Sequence, residues 1–302
     1  MEKLIRFDWA IKHLLRNKAN FDILEGFLSA LLREDITILN LLESEGNQED
    51  EADKFNRVDL LTENQRHDLI LIEVQVKSEL DFFHRIAYGT AKLLTEYLDK
   101  GQEYSQLKKV ISVSITYFNL GTGQDYLYYG STNFVGTHAQ DILALSDSQV
   151  QEYGIREARK IFPEYYLIRV GQFSDEIHDP VDEWIYMLKH SQIKSDFTAK
   201  HIQQAGEKLR VINLPSNRRQ VYERFMDNRS YEASMLYTSR KEGLEQGIKQ
   251  GLEQGIKQGL EQGLEQGIKQ VAKNMLAQGM EIERVASLTG LSPEVVEKLL
   301  AI

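Results

Sequence analysis

The chain has 302 residues, with 46 acidic and 36 basic side chains and a net charge of −10. Its 42% hydrophobic content allows one substantial core and a second small unit, while the absence of cysteine excludes disulfides, thiolate zinc sites and cysteine nucleophiles. The acidic balance argues against non-specific coating of nucleic acid, and no apolar run approaches the roughly 20 residues that span a bilayer, so we expect a cytoplasmic protein outside the membrane.

Helical spacing marks the first segment, residues 8–33. Its apolar stripe consists of Phe21, Leu24, Phe27, Leu28, Leu31 and Leu32. Asp8 and Asn20 are candidate N-caps, because short polar side chains accept hydrogen bonds from the first turn of a helix. The stretch ITILNLL at 36–42 then predicts a strand.

Two further strands are predicted near 55–63 and 68–77, separated by the turn-like NQRH. A helix from about residue 79 to residue 98 follows, with Gly101 as its C-terminal stop. The strand KKVISVSITYF at 108–118 completes the order α-β-β-β-α-β. We therefore expect an α/β fold with a mixed sheet flanked by helices.

Residues 119–190 are mixed and less regular, but DEWIYMLKH at 182–190 predicts a helix that packs back on the sheet. The first domain accordingly spans 1–192. A polar segment with helical patterning, at 193–240, is a helical extension of it.

A glycine repeat of period four occupies residues 241–270. Its glycines are at 243, 247, 251, 255, 259, 263 and 267. Each costs a helix about 1 kcal/mol relative to alanine, so such a helix needs a partner. The repeat advances about 40° every four residues, which suits a right-handed pair of helices with close backbones. A low-complexity tail is the alternative.

Residues 271–302 predict a small hairpin of two helices around SLTGLSPE. This sequence pattern resembles a helix-turn-helix, although an isolated acidic pair of helices is more often a packing or oligomerisation unit. We expect homo-oligomers that form through the C-terminal repeat region.

Strand alternation separates two faces in LILIEVQVK. Ile70, Ile72, Val74 and Val76 share the apolar face; the other face carries Leu69, Leu71, Glu73, Gln75 and Lys77. The second face turns polar toward its end, as expected for a strand that enters a cleft. A turn centred on Arg66 would place Asp59 directly across from Glu73.

Two adjacent carboxylates in a half-buried cleft repel each other, and a divalent cation relieves that repulsion. Mg²⁺ takes one or two carboxylates, with water and substrate phosphate completing its shell, and Mn²⁺ is a substitute. Asp59, Glu73 and the carbonyl of Val74 are the candidate ligands. The alternative is an ordinary solvated strand face on which acids and amides need no function.

The succession VDLL, LILIEVQ and FFHRIAYGTAKLLTEYLDKGQEYSQLKKVISVSI resembles the PD-(D/E)XK nuclease superfamily. More closely, it resembles the recombination-promoting nuclease (Rpn) family, also described as YhgA-like transposases. In that group E-x-Q commonly replaces E-x-K, as at 73–75. The segment DWAIKHLL is similar to the family's opening D-x-x-F-K, with Asp8 and Lys12 in the matching places and Ile11 departing from it.

The resemblance implies that Asp59 and Glu73 ligate Mg²⁺ and that Gln75 stands where the superfamily has lysine. A neutral amide lacks the lysine charge, so another cation is needed. Lys77 on the same strand face is one candidate. Lys92 is the other; it shares a helix face with Tyr88 and with Arg85, which we interpret as an ordinary solvated side chain.

These features together predict a metal-dependent endonuclease that hydrolyses DNA, linked to recombination or mobile DNA. No motif for a nucleotide cofactor is present. The competing hypothesis is a binding or regulatory protein that keeps the fold, has lost efficient cleavage and oligomerises through its repeat. A third is that the repeat tail is itself the main functional part.

Overall fold

The computed structural model describes residues 3–42, 59–98 and 102–300. Its contacts divide the chain into two compact units, Met1–Gln220 and Val221–Ile302. Within the described ranges, no helix combines the length and the apolar character needed to cross a membrane. The predicted domain boundaries after residues 192, 240 and 270 stay predictions.

The first unit alternates helices and strands, as the α-β-β-β-α-β pattern predicts for its first half. In chain order its elements are α1 (Phe7–His13), α2 (Phe21–Leu32), β1 (Ile38–Leu42), β2 (Leu60–Asn64), β3 (Leu69–Gln75), α3 (Phe82–Glu96), β4 (Val110–Thr116), β5 (Leu127–Gly130), α4 (Asp147–Tyr153), β6 (Glu164–Arg169), α5 (Pro180–His190) and α6 (Ile202–Lys208). The predicted strand at 55–63 is observed from Leu60 onward. Its residues 55–58, and the predicted stop at Gly101, lie outside the described residues.

Six strands form one mixed sheet in the order β1-β2-β3-β4-β6-β5. The first three strands are antiparallel, β3, β4 and β6 run parallel, and β5 pairs antiparallel with β6. The sequences LILIEVQ and VISVSIT form β3 and β4 at the centre, where nearly every residue is buried. Near-continuous apolar runs of this kind are typical of parallel strands that are covered on both faces.

Helix α3 covers the face of β3 that carries Glu73. On that face Leu71 packs in a cluster with Leu93 of α3; the other buried members of the cluster are Leu61, Leu69 and Val110. Since side chains alternate along a strand, Glu73 and Gln75 continue the same row beyond Leu71. The packing of α3 therefore brings its first turns over the polar end of β3.

Close packing also fixes α2 in the first unit. The ring of Phe27 lies 5.8 Å from that of Phe7 and 6.0 Å from that of Trp184, in edge-on geometry. A Cβ atom at Gly26 would lie 2.3 Å from the Lys200 carbonyl oxygen, so only glycine fits this approach. The predicted helical stripe of α2 is thus the face that enters the core.

The two predicted N-caps behave differently in the structure. The prediction for Asp8 was wrong: the N-cap of α1 is Arg6, and Asp8 lies inside the first turn, where Arg6 binds its carboxylate at 3.1 Å. Asn20 does occupy the N-cap position of α2, but its amide donates to the Leu14 carbonyl instead of capping. Each side chain therefore makes a contact other than the predicted cap: Asp8 with Arg6, and Asn20 with the Leu14 carbonyl.

Helix α7 (Ser216–Ala277) begins in the first unit and forms most of the second. The glycine repeat lies wholly within this helix. Helices α8 (Ile282–Thr289) and α9 (Pro293–Leu300) follow, and Ala272, Val285 and Val296 form their common core. The predicted C-terminal helices are therefore present and pack against the end of α7.

Candidate active site

The register of β2 against β3 places the two candidate carboxylates opposite each other. Leu60 pairs with Ile72 and Leu61 with Leu71, so the connecting turn is centred on residue 66. Asp59 immediately precedes β2, and continuing the register by one residue puts it across from Glu73. The observed register is the one that the predicted pairing of these two positions requires.

Asp59 is held by contacts from two directions. Its Oδ2 atom accepts a hydrogen bond from the Val74 backbone N–H at 2.7 Å, and its Oδ1 atom lies 3.2 Å from Lys12 Nζ. Arg16 donates through Nη2 to the Asp59 backbone carbonyl at 2.9 Å. The N–H and C=O of one strand residue point to the same edge. The Val74 carbonyl therefore faces the side on which Asp59 lies.

Glu73 is a buried carboxylate, with 8% of the residue exposed. Burial raises the pKa of Glu73 above its usual value, and the charges of Asp59 and Glu79 raise it further. The guanidinium of Arg85 opposes these effects through an ion pair with Glu73 Oε1. The ionised form of Glu73 is therefore disfavoured by its surroundings, and a nearby cation is needed to stabilise it.

Arg85 links the polar groups around Glu73. Its Nη1 atom lies 2.6 Å from Glu79 Oε2, and its Nη2 atom donates to Gln75 Oε1 at 3.3 Å. The Gln75 amide in turn donates to Glu79 Oε1 at 2.6 Å. The guanidinium carbon also lies 5.1 Å from the centre of the Phe82 ring. The interpretation of Arg85 as an ordinary solvated side chain was wrong, because α3 directs it into the carboxylate pair.

Lys77 and Lys92, predicted as catalytic cations, are placed differently. Strand β3 ends at Gln75, so the alternation that put Lys77 on the Glu73 face does not extend to it. Lys77 is exposed in the segment after the strand, and its carbonyl accepts from the Gln75 amide at 3.1 Å. Lys92 lies farther along α3, where its ammonium pairs with Glu96 at 3.4 Å. Arg85 is the cation that α3 brings to Glu73.

The oxygens at this site are of the kind that Mg²⁺ binds. The described residues contain no cluster of three or more His, Asp or Glu side chains arranged for a metal. However, Mg²⁺ usually needs only one or two carboxylates and keeps water or substrate oxygens. Asp59, Glu73 and the Val74 carbonyl fit that requirement. Lys12 and Arg85 neutralise the two carboxylates in the arrangement seen here.

Comparison with known protein families gives two matches, and both are to nuclease families. A family model described as PD-(D/E)XK nuclease family transposase matches residues 5–238. A second, described as Rpn/YhgA-like nuclease family, C-terminal HTH domain, matches residues 260–300. Neither the curated proteins nor the solved structures include a significant match.

The mixed sheet with its flanking helices and the family match define the class, a protein with the PD-(D/E)XK nuclease fold. Within that class, the chain belongs to the PD-(D/E)XK nuclease family transposases. The C-terminal match favours a helix-turn-helix over a simple packing unit and indicates DNA binding by this region.

Proposed function

We propose that the protein is a metal-dependent DNA endonuclease that hydrolyses phosphodiester bonds with Mg²⁺, or with Mn²⁺ in its place. The observation that carries the proposal is the position of Asp59 across from Glu73 in a chain of a nuclease family. Incubation of supercoiled plasmid with the purified protein tests it. Nicked or linear product in Mg²⁺ or Mn²⁺, and none in EDTA, would support the proposal; no product in either metal would overturn it.

The chain's own residues divide into metal ligands and groups that control charge. Asp59, Glu73 and the Val74 carbonyl would hold the cation. When bound, such a cation lowers the pKa of bound water and stabilises negative charge on the phosphodiester. Arg85 favours the ionised form of Glu73 against the effect of burial and supplies the positive charge that Gln75 lacks. Gln75 fixes the guanidinium by accepting a hydrogen bond from it.

We propose Arg85 in place of Lys77 and Lys92 as the cation that assists the reaction. Its guanidinium contacts both Glu73 and Gln75, whereas Lys92 pairs with Glu96. An arginine also presents several N–H donors in a fixed plane, which suits contact with phosphate oxygens. Cleavage should therefore depend much more on Arg85 than on Lys92.

The biological setting we propose is DNA recombination or the movement of mobile DNA. The description of the matched family as transposases supports this setting. Strand breakage alone serves recombination and does not require transposition. A cysteine-free chain is suited to a reducing compartment, and we propose that the protein acts in the cytoplasm.

We also propose that the protein forms homo-oligomers through the repeat in α7. Leu and Ile recur every four residues beside the glycines, and six of these side chains are 62–74% exposed: Leu244, Ile248, Leu252, Ile256, Leu260 and Leu264. Rows with this spacing are the ridges and grooves by which two helices pack at about −50°. Contact with a second copy would bury the apolar row against the glycine groove.

Truncation after Arg240 tests the oligomer directly. Light scattering of the full chain should give a multiple of the monomer mass, and the truncated protein should be monomeric. If the full chain and the truncated protein had the same association state, the proposal that the repeat mediates oligomerisation would be wrong.

One observation favours the alternative, a DNA-binding or regulatory protein without efficient cleavage. Each carboxylate already has a cationic partner, Lys12 for Asp59 and Arg85 for Glu73, which a metal would have to displace. Calorimetric titration with Mn²⁺ separates the two functions. A nuclease should bind the ion and lose that binding in Asp59→Ala and Glu73→Ala, whereas an inactive scaffold has no need to bind it.

A further inference from the structure

A group of basic side chains lies beside the candidate site, on the side of Asp59. Lys12 and His13 are in the last turn of α1 and Arg16 follows it; Arg218, near the start of α7 within the first unit, is close enough to His13 for its charge to act on the imidazole. All four are exposed. We refer to these four residues as the cationic patch. Lys12 and Arg16 both contact Asp59, so the patch adjoins a candidate metal ligand.

The positive charge of the patch is only partly neutralised by its contacts. The Lys12 side chain remains 52% exposed while it pairs with Asp59. Arg16 donates to a backbone carbonyl, which carries no formal charge, so the guanidinium charge is retained. In the part of the chain that the structure describes, only Asp59 supplies a carboxylate contact to Lys12 or Arg16.

The effect of the patch on His13 also indicates that its positive charge is only partly neutralised. The pKa of His13 is lowered from its ordinary value, first by partial burial of the ring and then by the charges of Arg218, Lys12 and Arg16. These cations therefore repel further positive charge at this surface, although the whole chain carries −10. An anion bound here would relieve the repulsion and gain charge-assisted hydrogen bonds.

We propose that the cationic patch binds the phosphodiester backbone of the DNA that enters the Asp59–Glu73 site. This inference rests on the proposed function and names the surface by which the substrate approaches. The position of the patch beside the carboxylate pair favours a nucleic-acid backbone over an anionic membrane surface. Arginine guanidinium groups that are not neutralised by a carboxylate are typical of phosphate contacts. Such contacts position DNA on the protein but do not recognise its sequence.

The salt dependence of DNA binding tests the patch. Fluorescence anisotropy of a labelled duplex in EDTA measures affinity without metal-dependent cleavage. The double variant Arg16→Met/Arg218→Met removes two charges and leaves Lys12, the residue that touches the Asp59 carboxylate. The slope of log K against log salt should fall in magnitude by about 1.8, since each phosphate contact contributes about 0.9. Affinity at 0.1 M salt should fall about 60-fold.

A matched control removes the same charge elsewhere in the first unit. Arg33 and Arg156 are exposed arginines outside the patch, and Arg33→Met/Arg156→Met should keep the parental slope. Binding by the C-terminal region contributes equally to all three proteins. Equal slopes for the parent and the patch variant, or equal losses in both double variants, would overturn the proposal.

Photocrosslinking locates the contact independently of affinity. Because the chain has no cysteine, Arg16→Cys, Arg218→Cys and Arg156→Cys can each be labelled at a single thiol with an azide reagent. Crosslinks to the duplex from positions 16 and 218, but not from 156, would support the patch. Crosslinks from none of them, or from 156 alone, would contradict it.

The outcomes separate this inference from the nuclease proposal. A parent that cleaves plasmid, with a patch variant of unchanged salt slope, would refute the patch and leave the nuclease standing. A parent that never cleaves, with a reduced slope and crosslinks at 16 and 218, would refute the nuclease and support the patch. Loss of binding to phosphatidylserine vesicles in the patch variant, with DNA binding unchanged, would assign the surface to a membrane and overturn the inference.

Discussion

Replacement of Arg85 by methionine should destabilise the first unit by stranding a buried carboxylate. Methionine keeps an apolar stem beside the Phe82 ring but removes the guanidinium that pairs with Glu73 and Glu79. The ion pair with Glu73 matters most, because only 10% of the Glu73 side chain is exposed. Without Arg85, nothing in this network offsets the burial of the Glu73 charge.

The expected loss follows from the burial of the pair. Breaking a fully buried ion pair costs about 3–5 kcal/mol. Because 27% of the Arg85 side chain stays exposed, we expect a cost at or just below the lower end of this range, about 2–3 kcal/mol for this pair. The Glu79 pair is 34% exposed on the acidic side and should add less than about 1 kcal/mol. Arg85→Met should thus lower the free energy of unfolding by about 3 kcal/mol at pH 7.5.

Urea unfolding followed by tryptophan fluorescence measures this loss in the first unit alone. The chain has two tryptophans, Trp9 and Trp184, and both are buried in that unit. A double-mutant cycle with Glu73→Gln isolates the pair, since the neutral amide leaves no stranded charge. The double variant should recover about 2 kcal/mol relative to Arg85→Met.

The deficit should also depend on pH. Arg85 lowers the pKa of Glu73, so its removal lets that carboxyl keep its proton to a higher pH. The destabilisation is therefore largest where Glu73 would be ionised and shrinks as the pH falls. A coupling energy within 0.5 kcal/mol of zero, or a deficit that grows toward acid, would refute the reasoning about this pair.

Three further outcomes are expected, each from urea unfolding. Glu73→Gln should raise stability in EDTA at pH 7.5, because burial raises the pKa of Glu73 and the folded state favours the protonated carboxyl. The gain should shrink as the pH falls below that raised pKa and disappear below the ordinary pKa of a glutamate; a gain that grows toward acid would be inconsistent. Lys108 and other partners lower the pKa of Glu63 to about 2, so Glu63→Gln should cost about 2–3 kcal/mol at pH 7. That cost should disappear as the pH falls from about 4.5 toward 2. Tyr126→Phe should cost about 1–2 kcal/mol through the lost hydrogen bond to Asp182, and an unchanged melt would contradict that contact.

Strand alternation and one short turn were enough to predict the acidic pair. Side chains alternate with a period of two, so the choice of Arg66 as the centre of the turn fixed which residues face each other. The observed pairs Leu60–Ile72 and Leu61–Leu71 have that centre. Local patterning therefore predicted the position of Asp59 relative to Glu73.

The cations around the pair depend on how helices pack on the sheet, which local patterning does not encode. Lys12 reaches Asp59 from α1, across 47 positions of chain, and Arg85 reaches Glu73 from α3. The order of the elements could have predicted the position of Arg85. Because α3 follows β3 in the chain, its first turns lie over the end of that strand, and Arg85 is in those turns. For Lys77, the strand prediction extended two residues too far.

The second half of the sheet was not predicted for a different reason. Strand β6 lies beside β4 although about 50 residues separate them, and β5 joins the edge beyond β6. Strand β5 has only four residues and little burial, so its alternation is weak. Pairings this distant follow from the assembled sheet and leave little trace in any short window of sequence.

The most direct test of the nuclease is plasmid cleavage by a charge-neutral variant of Glu73 beside a matched control. Glu73→Gln removes one proposed ligand, while Glu63→Gln changes another buried glutamate of the same sheet that faces Lys108 instead of Asp59. In Mg²⁺ the parent and Glu63→Gln should nick supercoiled plasmid, and Glu73→Gln should lose at least about 100-fold in rate. Equal rates for the three proteins, or no cleavage by the parent in either metal, would contradict a nuclease centred on Asp59 and Glu73.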